Sequence, residues 1–163
     1  MISDALVRKL NEQVTMEFAA SQTYLAMACV LDSMGLKQLH ERFVEQAQEE
    51  RTHALKIITH LCEADARVEF EAIPKPQARY DSLTAIVQAA LQNELKVTES
   101  IHQLVTQATA EKCYPTLEFL QWFVKEQVEE VAQMRDLLRA VELAGDNVLQ
   151  VDAWASQMMG DDD

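Results

Sequence analysis

One segment specifies the architecture of this chain: LKQLHERFVEQAQEERTHALKIITHLCEA, residues 36–64. Its apolar residues recur at the three- and four-residue spacing that places them on one face of an α-helix. Leu36, Phe43 and Ile57 follow that stripe, but Glu50 occupies its midpoint, and His53 lies one turn further on the same face. A carboxylate on the buried face of a helix is costly unless it is paired or bound to a metal ion. The segment therefore predicts a buried helix that carries part of a polar site.

Other segments of the chain repeat this design, and the long ones are residues 4–33, 81–109 and 115–144. Each has an amphipathic helical pattern of about thirty residues with polar residues at the centre of its apolar stripe. These central residues are Glu17, Glu94, Gln127 and Glu130. A shorter helical pattern follows at residues 147–158. Because the chain has only three glycines and three prolines, the patterns are uninterrupted, and they predict an all-α fold.

The connections between the segments indicate how the helices are arranged. Helices of this length extend on the order of 42 Å. Short links around Gly35 and at residues 111–114 make each joined pair an antiparallel hairpin. The middle connection, residues 66–80, contains Pro74 and Pro76 and reaches about 50 Å when extended. We expect this crossover to make the second and third helices parallel in a four-helix bundle, and a plain loop between two hairpins is the alternative.

Composition argues against several classes of function. The length of 163 residues suits a single domain spanning residues 1–163, and a net charge of −13 argues against a nucleic-acid partner. No continuous apolar stretch approaches a length of about 18 residues, so we expect no membrane-spanning segment. The isolated cysteines have neither metal-ligand spacing nor a disulfide framework, which predicts reduced thiols in a cytoplasmic protein; they are Cys29, Cys62 and Cys113. The acidic end, Asp161–Asp163, is expected to fray.

The central polar residues should meet in one layer of the bundle, because the midpoints of aligned helices coincide whichever way each helix runs. The layer is expected to contain Glu17, Glu50, His53, Glu94, Gln127 and Glu130. Four carboxylates balance two divalent cations, and without metal they would raise one another's pKa values. Oxygen-rich ligation with one imidazole suits Fe(II) or Mn(II), and Zn(II) could also bind. Neutral Gln127 either coordinates or bonds to a bridging oxygen or bound ligand.

A second acidic tier borders this layer, formed by Glu49, Glu126 and Glu129. These side chains are either solvated surface acids or a third cation site that exchanges metal with the main pair through Glu130. Tyr24, two turns from Glu17, either packs in the core or donates an electron or a hydrogen bond to the site. We expect Trp122 to pack in the core and the other histidines to be non-ligands, namely His40, His60 and His102.

Together these motifs resemble the non-haem bacterial ferritins over essentially the whole chain. The matching features are Glu17 with Tyr24, Glu50-x-x-His53, Glu94 and Gln127-x-x-Glu130, with the long crossover and the short fifth helix. The resemblance implies a ferritin-like four-helix bundle, a ferroxidase centre and a homo-oligomeric hollow shell of 24 subunits that stores ferric mineral. It implies one iron at Glu17, Glu50 and His53, and a second at Glu50, Glu94 and Glu130, with Glu50 bridging. It also implies a third iron site at Glu49, Glu126, Glu129 and Glu130.

The chain departs from other relatives at several positions. Haem-binding bacterioferritins, rubrerythrins and di-iron oxygenases carry a second Glu-x-x-His motif, which here reads Gln127-x-x-Glu130. Arg51 stands where bacterioferritins place a haem-ligating Met, so we expect no haem. Eukaryotic ferritins line a pore with acids near the start of the fourth helix, where this chain has Leu117 and Leu120. The resemblance therefore does not define how iron enters.

Three functions fit these residues, and we favour a protein that oxidises Fe(II) with O2 or hydrogen peroxide and stores Fe(III). A di-iron or di-manganese oxidase or peroxidase is the second. It would need an open substrate pocket beside the metals and would be a dimer. The third is a non-catalytic acidic bundle that binds cations without consuming O2. Molecular size separates the first two functions, and O2 consumption separates the third.

Overall fold

The computed structural model describes residues 2–158, which form five helices and no strand. In chain order they are α1 (Asp4–Ser33), α2 (Lys37–Glu63), α3 (Leu83–Ala110), α4 (Tyr114–Ala144) and α5 (Val148–Met158). α1 packs along α2, α3 packs along α4, and the two hairpins meet through α1 and α3. α5 lies against α2 and α4. The predicted four-helix bundle with a short fifth helix is confirmed, whereas the acidic end, Asp161–Asp163, lies outside the described residues.

The connection between α2 and α3 joins opposite ends of the bundle. One apolar cluster, the upper core, combines the C-terminal halves of α1 and α4 with the N-terminal halves of α2 and α3, and includes part of α5. The other, the lower core, combines the opposite halves of the four long helices. α2 and α3 therefore run parallel, as predicted, and the crossover travels the length of the bundle. This excludes the plain loop between two hairpins.

Asn11, on α1, holds the crossover segment in place through two hydrogen bonds to its backbone. Its Nδ2 donates to the carbonyl oxygen of Arg67 at 2.9 Å, and its Oδ1 accepts from the backbone N–H of Glu69 at 2.8 Å. Phe70 then packs on Phe18 with ring centroids 6.5 Å apart. Nothing in the periodic sequence pattern marks Asn11, because its partners lie more than fifty residues away along the chain.

Three of the long helices end in the same left-handed turn. The residues that follow their caps, Gly35, Asp65 and Lys112, have φ values of 79°, 52° and 55°. In each turn two successive backbone N–H groups donate to carbonyls of the last helical turn, which is the Schellman arrangement. Only Gly35 is the residue type that normally signals this turn, since the left-handed conformation is costly for other residues.

The predicted helix limits need small corrections. α2 spans residues 37–63 rather than 36–64, α3 spans 83–110 rather than 81–109, and α4 and α5 begin at 114 and 148 rather than 115 and 147. α3 starts late because the Ser82 hydroxyl accepts from the backbone N–H of Ala85 and so acts as the N-cap. The other ends were misplaced because Asp65 and Lys112 give no turn signal, and because Pro115 occupies the first turn of α4 rather than its first residue.

The expectation that no segment is apolar enough to span a membrane was too strict for α1. α1 is long and apolar enough, by length and composition alone, to cross a membrane. The same helix supplies Leu6, Leu10 and Leu31 to the bundle core and buries the polar Gln13 and Glu17. Because a core helix passes this test as readily as a membrane span, the result assigns no membrane role to α1.

Candidate metal centre

A polar layer, here called the waist, separates the upper core from the lower core. Its side chains are at most 3% exposed and come from the midpoints of all four long helices. They are Gln13, Glu17, Gln46, Glu50, His53, Glu94, Gln127 and Glu130. The structure therefore brings together all six residues that the sequence placed in this layer. Their role as metal ligands or catalytic groups stays a prediction.

Two triads of potential ligand atoms lie side by side in the waist. One contains Glu17, Glu50 and His53, the other contains Glu50, Glu94 and Glu130, and the contributing atoms of each triad lie within 4.8 Å of one another. His53 Nδ1 is 3.5 Å from an oxygen of Glu50 and 4.0 Å from an oxygen of Glu17. Because Glu50 belongs to both triads, the arrangement can hold two cations that share one carboxylate.

Most buried polar atoms in proteins have a hydrogen-bond partner, but the waist contains several that have none among residues 2–158. They are Oε2 of Glu17, Glu50 and Glu94, Nδ1 of His53, Oε1 of Gln46 and Nε2 of Gln127. The first four belong to the two triads and carry lone pairs suited to a cation. A cation would remove the cost of leaving those atoms unpaired.

Burial raises the pKa values of the central carboxyl groups. The pKa of Glu94 rises to about 8 and that of Glu130 to about 9, first through burial and then through neighbouring carboxylates. The pKa of Glu17 lies well above its usual value for the same two reasons, with Glu50 as the charged neighbour. Burial lowers the pKa of His53, but the nearby carboxylates of Glu50, Glu130 and Glu126 outweigh it, so the net change is upward. Without a cation, Glu94 and Glu130 are therefore protonated at neutral pH.

Tyr24 connects the waist to the upper core. Its hydroxyl donates to Glu94 Oε1, and its ring packs edge-on against Phe43 with centroids 5.5 Å apart. Burial and the charge of Glu94 hold the pKa of Tyr24 well above its usual value, so the phenol keeps its proton. The residue thus packs in the core and donates a hydrogen bond to a central carboxylate. Its role as an electron donor stays a prediction.

The second acidic tier does not converge as one group. Glu126 lies 3.8 Å from His53 Nε2 and forms a third triad with His53 and Glu130. Glu49 is about half exposed and lies 3.7 Å from the Arg42 guanidinium. Glu129 is exposed and belongs to none of the triads found among the described residues, because its position on α4 is rotated about 100° from Glu130.

Two glutamines in the waist were not singled out as site residues from the sequence. Gln13 donates to Glu17 Oε1 at 2.8 Å, and Gln46 donates to Glu130 Oε2 at 2.7 Å. Both stand on the apolar stripe four residues before a central glutamate. The four-residue spacing to a central glutamate could have identified Gln13 and Gln46 from the sequence. Glutamines are also common, however, on apolar helix stripes that carry no functional site.

Trp122, expected only to pack, borders the site. Its ring lies edge-on to His53 with centroids 5.4 Å apart, is 37% exposed, and carries the Lys56 ammonium 4.3 Å above it. The remaining histidines make other contacts: His60 stacks on Phe119 and bonds to Thr116, and His40 bonds to the carbonyl oxygen of Ala28.

Comparison with known families agrees with this geometry. The family described as the ferritin-like domain matches residues 7–144. The chain belongs to the ferritin family. Ferritin BfrB of Mycobacterium tuberculosis is 36% identical over 148 residues, which cover 91% of this chain and 82% of the relative. The bacterial non-heme ferritin of Campylobacter jejuni is 35% identical over 147 residues, which cover 90% and 88%.

A solved structure extends the similarity to three dimensions. The open pore ferritin of the archaeon Archaeoglobus fulgidus superposes with a TM-score of 0.93 at 37% identity, covering 96% of this chain and 98% of that one. The resemblance to ferritins that the motifs indicated is therefore confirmed, and iron storage is the general role that the family supports.

Proposed function

We propose that this chain oxidises Fe(II) at a dinuclear centre within each subunit and stores the ferric product in a hollow shell of identical subunits. Family membership supports the storage role. The observation that carries the catalytic part is the pair of buried triads that share Glu50, with unpartnered donor atoms in both. Four carboxylates concentrated in an apolar interior are a poor arrangement for stability alone, which favours a role in binding cations.

Two Fe(II) ions are the substrates of the proposed reaction. One would be held by Glu17, Glu50 and His53, and the other by Glu50, Glu94 and Glu130. Their four positive charges offset the four carboxylates, so the waist becomes neutral once the carboxyl protons have left. Each Fe(II) then transfers one electron to the oxidant, and the two electrons together with two protons convert O2 to hydrogen peroxide, or hydrogen peroxide to two molecules of water. The two Fe(III) ions carry six positive charges, which is two more than the four carboxylates neutralise. Hydroxide from water balances this excess positive charge and carries Fe(III) towards the mineral.

The size of the surface recess beside His53 favours small reactants. Its volume is about 270 Å³, and its lining includes Glu49, Lys56, Trp122 and Glu126. Pockets for organic ligands are usually larger, roughly 300–1,000 Å³. The recess is therefore wide enough for iron ions, O2 or peroxide and smaller than most pockets that would hold the organic substrate of the oxidase alternative. For the third iron site, Glu126 with His53 and Glu130 has the best geometric support, whereas Glu49 and Glu129 remain part of the proposal through resemblance.

Assembly into a shell is part of the same proposal. Several large apolar side chains are exposed on the single subunit, including Phe70 at 70%, Val128 at 68% and Leu143 at 89%. Apolar surface of this kind marks interfaces when it forms patches. A shell of 24 subunits of 18.5 kDa would have a mass of about 440 kDa, far from that of a dimer. Size-exclusion chromatography distinguishes the two, and a dimer would favour the oxidase alternative. We expect the shell in the cytoplasm, without haem.

Stopped-flow Fe(II) oxidation tests the centre. Glu50→Ala removes the shared carboxylate and His53→Ala removes the imidazole, so both should abolish the rapid phase of oxidation while circular dichroism shows intact helices. Glu142→Ala, an exposed acid on the same helix as Glu130, is the matched control and should oxidise Fe(II) at the wild-type rate. Wild-type rates in the Glu50 and His53 variants would remove the proposed centre. Metal binding by the wild type without O2 or peroxide consumption would favour the cation-binding bundle.

A further inference from the structure

Two fully buried glutamines occupy equivalent positions in the waist. Gln13 precedes Glu17 by four residues on α1, and Gln46 precedes Glu50 by four residues on α2. A neutral amide at such a position adds hydrogen-bond donors without changing the charge of the layer. The atoms that receive those hydrogens determine which carboxylate oxygens are left for metal.

Gln13 occupies one oxygen of Glu17. Its Nε2 donates to Glu17 Oε1 at 2.8 Å, while its own Oε1 accepts from the hydroxyl of Ser100 on α3 at 2.5 Å. Ser100 therefore fixes which end of the amide faces Glu17. The other carboxylate oxygen, Glu17 Oε2, has no hydrogen-bond partner among the described residues and lies 4.0 Å from His53 Nδ1.

Gln46 does the same for Glu130 from the neighbouring helix. Its Nε2 donates to Glu130 Oε2 at 2.7 Å and makes a longer contact of 3.2 Å with Glu50 Oε1. The shorter bond goes to the carboxylate that belongs to one of the two central triads, and the longer one goes to the carboxylate that belongs to both. Glu50 is thus the less constrained of the two.

We propose that Gln13 and Gln46 are positioning residues that limit Glu17 and Glu130 to one metal-binding oxygen each. This rests on the proposed function, because it assumes two cations in the waist. A hydrogen bond to one oxygen of a ligating carboxylate orients the carboxylate and favours metal binding through its other oxygen. With one oxygen of Glu17 and of Glu130 occupied by an amide, each ion keeps a coordination position that the shared Glu50 and the oxidant can fill.

Methionine variants remove the donor while keeping the length of the side chain. In Gln46→Met the freed oxygen of Glu130 joins the metal, and in Gln13→Met the same happens at Glu17. The matched control is Gln103→Met, because Gln103 donates to Glu99 at 3.1 Å with the same four-residue spacing on the exposed face of α3. Zn(II) is the probe, since it does not change oxidation state.

Infrared difference spectra of Zn(II)-loaded minus zinc-free protein report carboxylate coordination, because the antisymmetric and symmetric stretches lie closer together when both oxygens bind one ion. We expect this splitting to narrow for one carboxylate in Gln46→Met and in Gln13→Met, and to be unchanged in Gln103→Met. Titration calorimetry should show that each waist variant still binds two Zn(II) per subunit, so that a narrowed splitting reports a changed binding mode rather than the loss of an ion.

The outcomes separate this inference from the proposed function. If the wild type binds two Zn(II) per subunit and both waist variants give the wild-type splitting, the positioning role is wrong while the dinuclear centre stands. If the wild type binds fewer than two Zn(II) per subunit, the proposed function fails whatever the glutamines do. If Gln46→Met does not fold, Gln13→Met tests the same claim on a different helix.

Discussion

Metal binding at the waist should release protons, and Glu130→Gln should reduce their number. In the metal-free chain the pKa values of Glu94 and Glu130 are about 8 and about 9, because both carboxyls are buried beside other carboxylates. At pH 7 both groups are therefore mainly protonated. A cation needs the ionised form, so filling the waist expels about two protons from this pair. Glu17, whose pKa is also well above its usual value, adds to that number.

The pH dependence of metal binding follows from the same pKa values. Both groups are neutral below their raised pKa values, so the apparent metal affinity falls as the pH drops below about 9 for Glu130 and below about 8 for Glu94, up to tenfold per pH unit for each proton that must leave. Only well above pH 9 are both carboxyls ionised, and there proton release by this pair should approach zero. In Glu130→Gln the amide oxygen can still accept from Gln46 but has no proton to lose, so the release at pH 7 should fall by at least one per subunit.

Anaerobic titration calorimetry with Zn(II) in buffers of different ionisation enthalpy counts these protons directly. Glu142→Gln, an exposed acid on the same helix, is the control and should match the wild type. Release of less than about half a proton per subunit at pH 7, or equal release from wild type and Glu130→Gln, would refute the reasoning, because it would mean that the waist carboxyls are already ionised without metal.

Three further predictions concern other contacts. Tyr24→Phe removes the donor to Glu94, and we expect Fe(II) oxidation in stopped flow to slow by roughly tenfold or more with the helices intact; an unchanged rate would show that the hydroxyl is dispensable. Asn11→Ala unpairs the carbonyl of Arg67 and the N–H of Glu69, so it should cost about 2 kcal/mol locally and speed amide hydrogen exchange at Glu69. Lys112→Gly relieves a left-handed residue with φ of 55° and should stabilise the chain by about 1 kcal/mol, seen as a higher unfolding midpoint.

The fold was largely predictable because its determinants are periodic. Four stripes of apolar residues, each interrupted at its centre by acids, define both the helices and the level at which they meet. The direction of the crossover also followed, since residues 66–80 are long enough to span the bundle. Helix ends were less accurate, because Asp65 and Lys112 adopt a left-handed conformation that glycine normally signals.

Site residues that place a charge on a buried helix face could be predicted from the sequence, whereas neutral site residues were harder to predict. Glu17, Glu50, Glu94 and Glu130 stand out on apolar stripes because a buried carboxylate is costly. Gln13 and Gln46 carry no charge, and their bonds depend on side-chain directions that spacing does not fix. Glu129 and Glu126 look alike in sequence, yet only Glu126 lies near His53, because the rotation of α4 decides which acid faces the waist.

Diffraction from wild-type crystals soaked with Fe(II) under anaerobic conditions, with the ions located by their anomalous scattering, tests the central claim most directly. We predict two iron positions per subunit inside the bundle, one in contact with His53 Nδ1 and the other with Glu94 and Glu130, with Glu50 in contact with both. Iron found only on the surface, with the buried oxygens of Glu17, Glu50 and Glu94 still unligated, would contradict it.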